Sequence, residues 1–153
     1  MAKADANVNS EREELAGMPD PSHVGRRYVA PGQAVAAASV AAYARAVSGG
    51  DEVFSPGSVP PTFAAVYCLG PALAALFADP ELGIDLAGLI HVEQSFAWLV
   101  PVHPGDVVDA SAEVSSVESK RGMTFVTVEL AARDGGGETV CTGRSLLLLR
   151  GGR

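Results

Sequence analysis

The chain has 153 residues, 48% hydrophobic and 19% charged, which is enough apolar side chain for one buried core and rules out a wholly disordered protein. Eleven Lys and Arg against 18 Asp and Glu give a net charge of −7, the wrong sign for nucleic-acid backbones or anionic membrane surfaces as partners. Aromatics are scarce at 6% and glycine supplies 17 residues, so the core must be built from small side chains that let backbones approach closely.

Residues 1–20 are polar and acidic (Glu11, Glu13, Glu14) and lack the apolar run of a secretory signal. They read as a disordered leader before a single domain over 21–153, with a cytoplasmic address. The next periodic segment, residues 39–47, carries Val40, Tyr43, Ala44 and Val47 on one stripe, with Ser39 as its cap and Ser48-Gly49-Gly50 as its stop. That spacing predicts a first helix. Residues 51–61 hold three prolines and predict a loop.

Pro60, Pro61 and Thr62 open a second helix over 63–78, with Thr62 as its cap. It is apolar nearly all round and too short, against roughly 20 residues, to cross a bilayer. A helix with Phe63, Val66, Tyr67, Leu69, Leu73 and Leu76 pointing in every direction must be wrapped by something. Gly70-Pro71 predicts a kink or an early break, because Pro71 lacks the N–H that would bond to Tyr67.

The second half has the period of strands. Residues 91–100 alternate with Val92, Gln94, Phe96 and Trp98 on one face; residues 107–117 alternate Val108, Ala110, Ala112, Val114 against Asp109, Ser111, Glu113, Ser115. Residues 123–132 and 139–149 continue the pattern, joined by Lys120-Arg121-Gly122 and by the glycine run at 135–137. The pattern describes an α+β protein, with a long antiparallel curled sheet around a buried helix. Two architectures satisfy it, the hot-dog fold and the cone-shaped barrel of nuclear-transport-factor-like domains, and both commonly pair into dimers.

Serine-triad elbows, phosphate loops and His pairs at metal spacing are missing from the sequence. Cys68 and Cys141 sit far apart among apolar neighbours and read as buried reduced thiols, so no metal and no cofactor is expected. His23 and His103 read as solvent-facing loop residues. His91 shares a strand face with Glu93 by simple alternation, which makes them a candidate acid/base pair; a structural strand-end histidine is the plainer alternative. Asp51, after Gly49-Gly50, is the other candidate carboxylate.

Three segments resemble the MaoC-like (R)-specific hydratase and dehydratase family of hot-dog proteins, in particular its N-terminal dehydratase type. They are Tyr43-Ala44-Arg45-Ala46-Val47 with Ser48-Gly49-Gly50-Asp51, then Pro60-Pro61-Thr62-Phe63, then His91-Val92-Glu93-Gln94-Ser95-Phe96 leading through Pro101 to Pro104-Gly105-Asp106. The resemblance implies an (R)-3-hydroxyacyl or trans-2-enoyl thioester of CoA or acyl carrier protein as substrate. It also implies an acyl tunnel beside Pro61, Thr62, Phe63, Ala65, Val66 and Gly70, with helix-start amides polarising the thioester carbonyl. Active relatives use Asp and His in a G-D-x-N-P-x-H loop; here Asp51 matches the Asp and Pro56 stands at the His. The expectation is therefore the substrate-binding, non-catalytic half of a heterodimer in fatty-acid, lipid or polyketide synthesis. The alternatives are a homodimer with a displaced dyad, Asp51 or Glu93 with His91, and a non-enzymatic acyl-binding module. No Lys or Arg falls between Ala46 and Ser119, and a basic partner would offset that acidic middle.

Overall fold

Five antiparallel strands form one sheet in a computed structural model that describes residues 17–50, 54–55 and 57–150. They are β1 (Arg27–Ala34), β2 (Leu89–Trp98), β3 (Val107–Lys120), β4 (Met123–Asp134) and β5 (Thr139–Arg150), ordered β1-β3-β4-β5-β2 across the sheet. The last three make the expected meander. In β3, Val108, Ala110, Ala112 and Val114 are buried and Asp109 and Glu113 exposed, as the alternation requires. A bulge between Val114 and Ser116 then adds one residue, so the buried position moves to Val117. Arg121 and Gly122 both take positive φ, 55° and 71°, the conformation that a two-residue hairpin matching the strand twist demands.

β1 is absent from the sequence expectation because Pro31 and Gly32 interrupt its pattern. Its edge position tolerates them: a register shift lies between Ala30 and Gln33, and the Gln33 amide donates to the Ala30 and Pro31 carbonyls. The first helix, α1 (Ala37–Val47), starts two residues before the predicted Ser39 cap, with Ala36 at its N-cap and no side-chain bond there.

The central helix differs from its expectation in an instructive way. It begins as a 3₁₀ turn, Pro61–Phe63, without a side-chain cap from Thr62. It then widens to a π turn, Ala65–Leu69, and runs on as α2, Gly70–Phe77. The Gly70 N–H reaches back five residues to the Ala65 carbonyl, so the helix takes in an extra residue ahead of Pro71 instead of breaking. Phe63, Tyr67, Cys68, Ala72 and Leu76 press onto the concave face of the sheet, against Val128, Leu147 and other inward side chains. The wrap is one-sided. Val66 is 45% exposed, and Gly70 and Ala74 on the same flank are exposed too, because five strands curl around only one side of the helix.

The packed chain extends further toward the N-terminus than predicted. Met18 packs against the core, Pro19 is fully buried, and the Gly17 carbonyl sits where a Gly83 side chain would be. His23, expected in solvent, is only 7% exposed; its Nδ1 accepts from the Asp20 N–H and its Nε2 faces the Glu81 carbonyl, each at 3.1 Å. Arg26 bridges Asp79 (3.1 Å) and Glu81 (2.9 Å), and the Tyr28 hydroxyl donates to Asp79 at 2.7 Å. These bonds close the N-terminal segment over the C-terminal end of α2. The described residues contain no helix long and apolar enough to cross a membrane.

Candidate functional site

His91 and Glu93 do not form the pair that simple alternation suggests. β2 pairs His91 with Leu147 and Glu93 with Leu146, so a bulge at Val92 lies between them. Leu147 is fully buried on the concave face and Leu146 belongs to the outer face, which puts the imidazole and the carboxylate on opposite sides of the sheet. Glu93 instead lines a small outer pocket of about 240 Å³ with Thr127, Arg144 and Leu146. His91 is exposed. Asp51 and Pro56 lie outside the described residues. The described part of their loop, with Arg45 and Ala44 of α1 and with Pro104, lines a cavity of about 580 Å³.

The predicted tunnel residues fall in two groups. Phe63 is buried and meets Tyr43 edge to face, ring centres 5.3 Å apart, while the Tyr43 hydroxyl donates to the Thr62 carbonyl at 3.0 Å. This fixes the helix start against α1. Thr62, Val66 and Gly70 line the uncovered flank of the helix, with Ala65 half-buried beside them. Within this chain that flank is an open surface. The N–H groups of Phe63 and Ala64 donate to the carbonyls of Pro60 and of Pro61 and Thr62, so these two helix-start amides are already engaged.

Pro61 also belongs to a second feature, a cavity of about 430 Å³ between the helix start and the end of β2. Val59, Pro60, Pro61 and Tyr67 form one side and residues 98–102 the other. The Trp98 indole N–H donates to the Pro61 carbonyl at 2.7 Å and ties the two sides together. Trp98 lies opposite Cys141 in the β2–β5 register and packs beside Phe96, ring centres 5.9 Å apart. Sequence reasoning placed Trp98 on the correct strand face but gave no signal that this face meets the helix start. Tyr67 is buried at the cavity floor, and burial and the neighbouring Cys141 hold its phenol well above its ordinary pKa. Cys68 and Cys141 are free, buried thiols; the hydrogen bond to Cys141 and burial push the Cys68 thiol up, so it stays protonated. No cluster of His, Cys, Asp or Glu among the described residues is arranged to hold a metal ion.

The family model described as "FAS1-like, dehydratase domain region" matches residues 22–143. A UPF0336 protein of Leifsonia xyli is 41% identical over 92 residues, and one of Saccharopolyspora erythraea is 36% identical over 92. Each match covers 60% of this chain and, respectively, 61% and 58% of the relative, so the similarity spans about three fifths of those proteins' length. Among solved structures, the (R)-hydratase of A. caviae involved in PHA biosynthesis superposes with a TM-score of 0.53 at 32% identity, over 81% of this chain and 94% of that one. The truncated HadBC (3R-hydroxyacyl-ACP dehydratase) complex of Mycobacterium tuberculosis has a TM-score of 0.61 at 21% identity, over 82% and 96%. The second likeness speaks for the fold alone, the hot-dog arrangement of a curled antiparallel sheet around a central helix. With four fifths of its length matched by the family model, the chain belongs to the FAS1-like dehydratase-domain family.

Proposed function

We propose that this chain is the substrate-binding, non-catalytic half of an (R)-3-hydroxyacyl-thioester dehydratase, working beside a hot-dog sibling that supplies the catalytic dyad. The observation that carries the reading is the separation of His91 from Glu93 onto opposite sheet faces; the resemblance adds that Pro56 falls where the motif of active relatives has histidine. A dehydratase needs one group to take the acidic α proton and another to protonate the departing hydroxyl. Among the described residues the one candidate pair that the sequence offers, His91 with Glu93, is split between the two faces of the sheet.

The open flank of the helix supports a shared tunnel. Thr62, Val66 and Gly70 present an exposed surface of small side chains, and β2, at the sheet edge, carries exposed Ile90 and Val92 with an unpaired row of backbone groups. A partner seated on that edge would cover both and turn the flank into one wall of an acyl slot. The substrate is then an acyl thioester of CoA or of acyl carrier protein. The 32% identical (R)-hydratase supports the reaction class.

Ala65→Trp tests the tunnel. It adds bulk to the half-buried side of the flank, and binding of a trans-2-enoyl-CoA to the purified complex, followed by calorimetry, should fall at least tenfold. Unchanged binding in a folded variant would remove the flank from the substrate path.

A further inference from the structure

We propose that Cys68 of the central helix and Cys141 of β5 form an oxidation-sensitive staple, closed by hydrogen peroxide into a disulfide that ties the π turn to the sheet. The device works in the same way whether or not the chain serves a dehydratase.

Three side chains meet between helix and sheet. Cys68 lies on the π turn Ala65–Leu69 and Cys141 on the concave face of β5, opposite Ala132 on one side and Trp98 on the other. Both are free and fully buried in the same apolar core. The Cys141 S–H donates to the Thr142 carbonyl at 3.4 Å, which leaves its sulfur lone pairs to the Cys68 thiol and the Tyr67 hydroxyl, both of which approach as donors. The pair therefore bridges the two layers whose packing makes the core, at the one turn where the helix departs from α geometry. A way in exists beside it: Tyr67 and Trp98 both line the 430 Å³ cavity, and each is also a direct neighbour of Cys141, one through its hydroxyl and one through the β2–β5 register. A small neutral oxidant that enters the cavity stands one side chain from the sulfur.

The surroundings also divide the roles. The Cys68 contact, with help from Tyr67, holds the Cys141 thiol below its ordinary pKa, while the same contact and burial push Cys68 up. Cys141 is then the attacker and Cys68 the resolving thiol. The Cys141 sulfur, its proton released, attacks one oxygen of hydrogen peroxide; the O–O bond breaks, hydroxide leaves and takes up that proton as water, and Cys141 becomes a sulfenic acid. The Cys68 sulfur next attacks the Cys141 sulfur, the S–O bond breaks, and the departing hydroxide takes the Cys68 proton as a second water. Two thiols are oxidised to one disulfide and one peroxide is reduced to two waters. The exposed flank of Thr62, Val66 and Gly70 is the back of the same helix, so closing the staple fixes that flank relative to the sheet and suppresses local opening of the π turn.

The test treats the purified full chain with hydrogen peroxide, removes the excess with catalase, unfolds the protein in urea containing N-ethylmaleimide and counts labels by mass spectrometry. The two cysteines give two labels before oxidation and should give none after it, with both restored by dithiothreitol and a proteolytic map that joins the peptide of Cys68 to that of Cys141 within one chain. The oxidised chain should unfold at a urea midpoint about 1 M higher than the reduced one, a gain that Cys68→Ala loses. Two labels persisting after peroxide would overturn the proposal. So would labels lost beyond recovery by dithiothreitol, a bridge between two chains on a non-reducing gel, or an internal bridge that leaves the midpoint unchanged.

Discussion

At the residue scale, two side chains carry local consequences that can be measured. Asp79 accepts from Tyr28 (2.7 Å) and from the Glu81 N–H (2.9 Å) and pairs with Arg26, and these bonds, the Tyr28 bond foremost, hold its carboxyl below the usual carboxylate range. A depressed folded-state pKa stabilises the fold at every pH above the unfolded value, and that stability is lost as pH falls through the folded one. Urea titrations should therefore show the parent losing stability on acidification below about pH 4 more steeply than Asp79→Asn, which is weaker at neutral pH but flatter toward acid. Equal slopes would show that the cluster contributes nothing. Arg121 holds φ 55° where glycine or asparagine is at ease. Arg121→Asn should stabilise the β3–β4 hairpin by about 0.5–1 kcal/mol, read from the shift in denaturation midpoint.

At the element scale, β2 and the central helix are where sequence and structure part, and the reasons are specific. Alternation located every strand of the meander because the concave-face positions are buried along each, although Ser111 and Thr127 on the other face are buried too. It failed at His91 and Glu93 because a bulge inserts one residue and reverses parity, and Val92 carries no mark of being that extra residue. It failed at β1 because Pro31 and Gly32 are written as a break while an edge strand accepts them. The π turn was legible only as trouble at Pro71; which way the helix would resolve a missing N–H depends on the packing of Tyr67 and Cys68 against the sheet. Of the site, the tunnel residues rest on resemblance and on the proposal above, whereas the Trp98–Pro61 bond left no mark in the sequence, since it spans 37 positions. Gly143 gives this scale its prediction: a Cβ there would lie 2.8 Å from the Ser95 carbonyl and 3.0 Å from the Phe96 ring. Gly143→Ala should push β2 off β5, costing about 1–3 kcal/mol, with hydrogen exchange rising in β2 ahead of β3 and β4.

At the scale of the whole molecule, one face of the helix and one edge of the sheet are left apolar and uncovered, and the proposed partner is what covers them. Val92, half exposed on that edge, offers a direct handle: Val92→Lys should leave the monomer fold intact and abolish association in sedimentation experiments, because a lysine on an edge strand blocks strand pairing. The same division of labour separates binding from chemistry. If catalysis used His91 after all, His91→Ala would lose turnover while keeping the fold; on the present account it changes turnover of the complex by no more than about twofold. The decisive measurement is hydration of trans-2-enoyl-CoA, followed as loss of the enoyl-thioester absorbance, by the purified chain alone and then mixed with a hot-dog subunit carrying an intact G-D-x-N-P-x-H loop. The account predicts no turnover alone and turnover in the mixture that exceeds the partner's own; full activity of the chain by itself would contradict it.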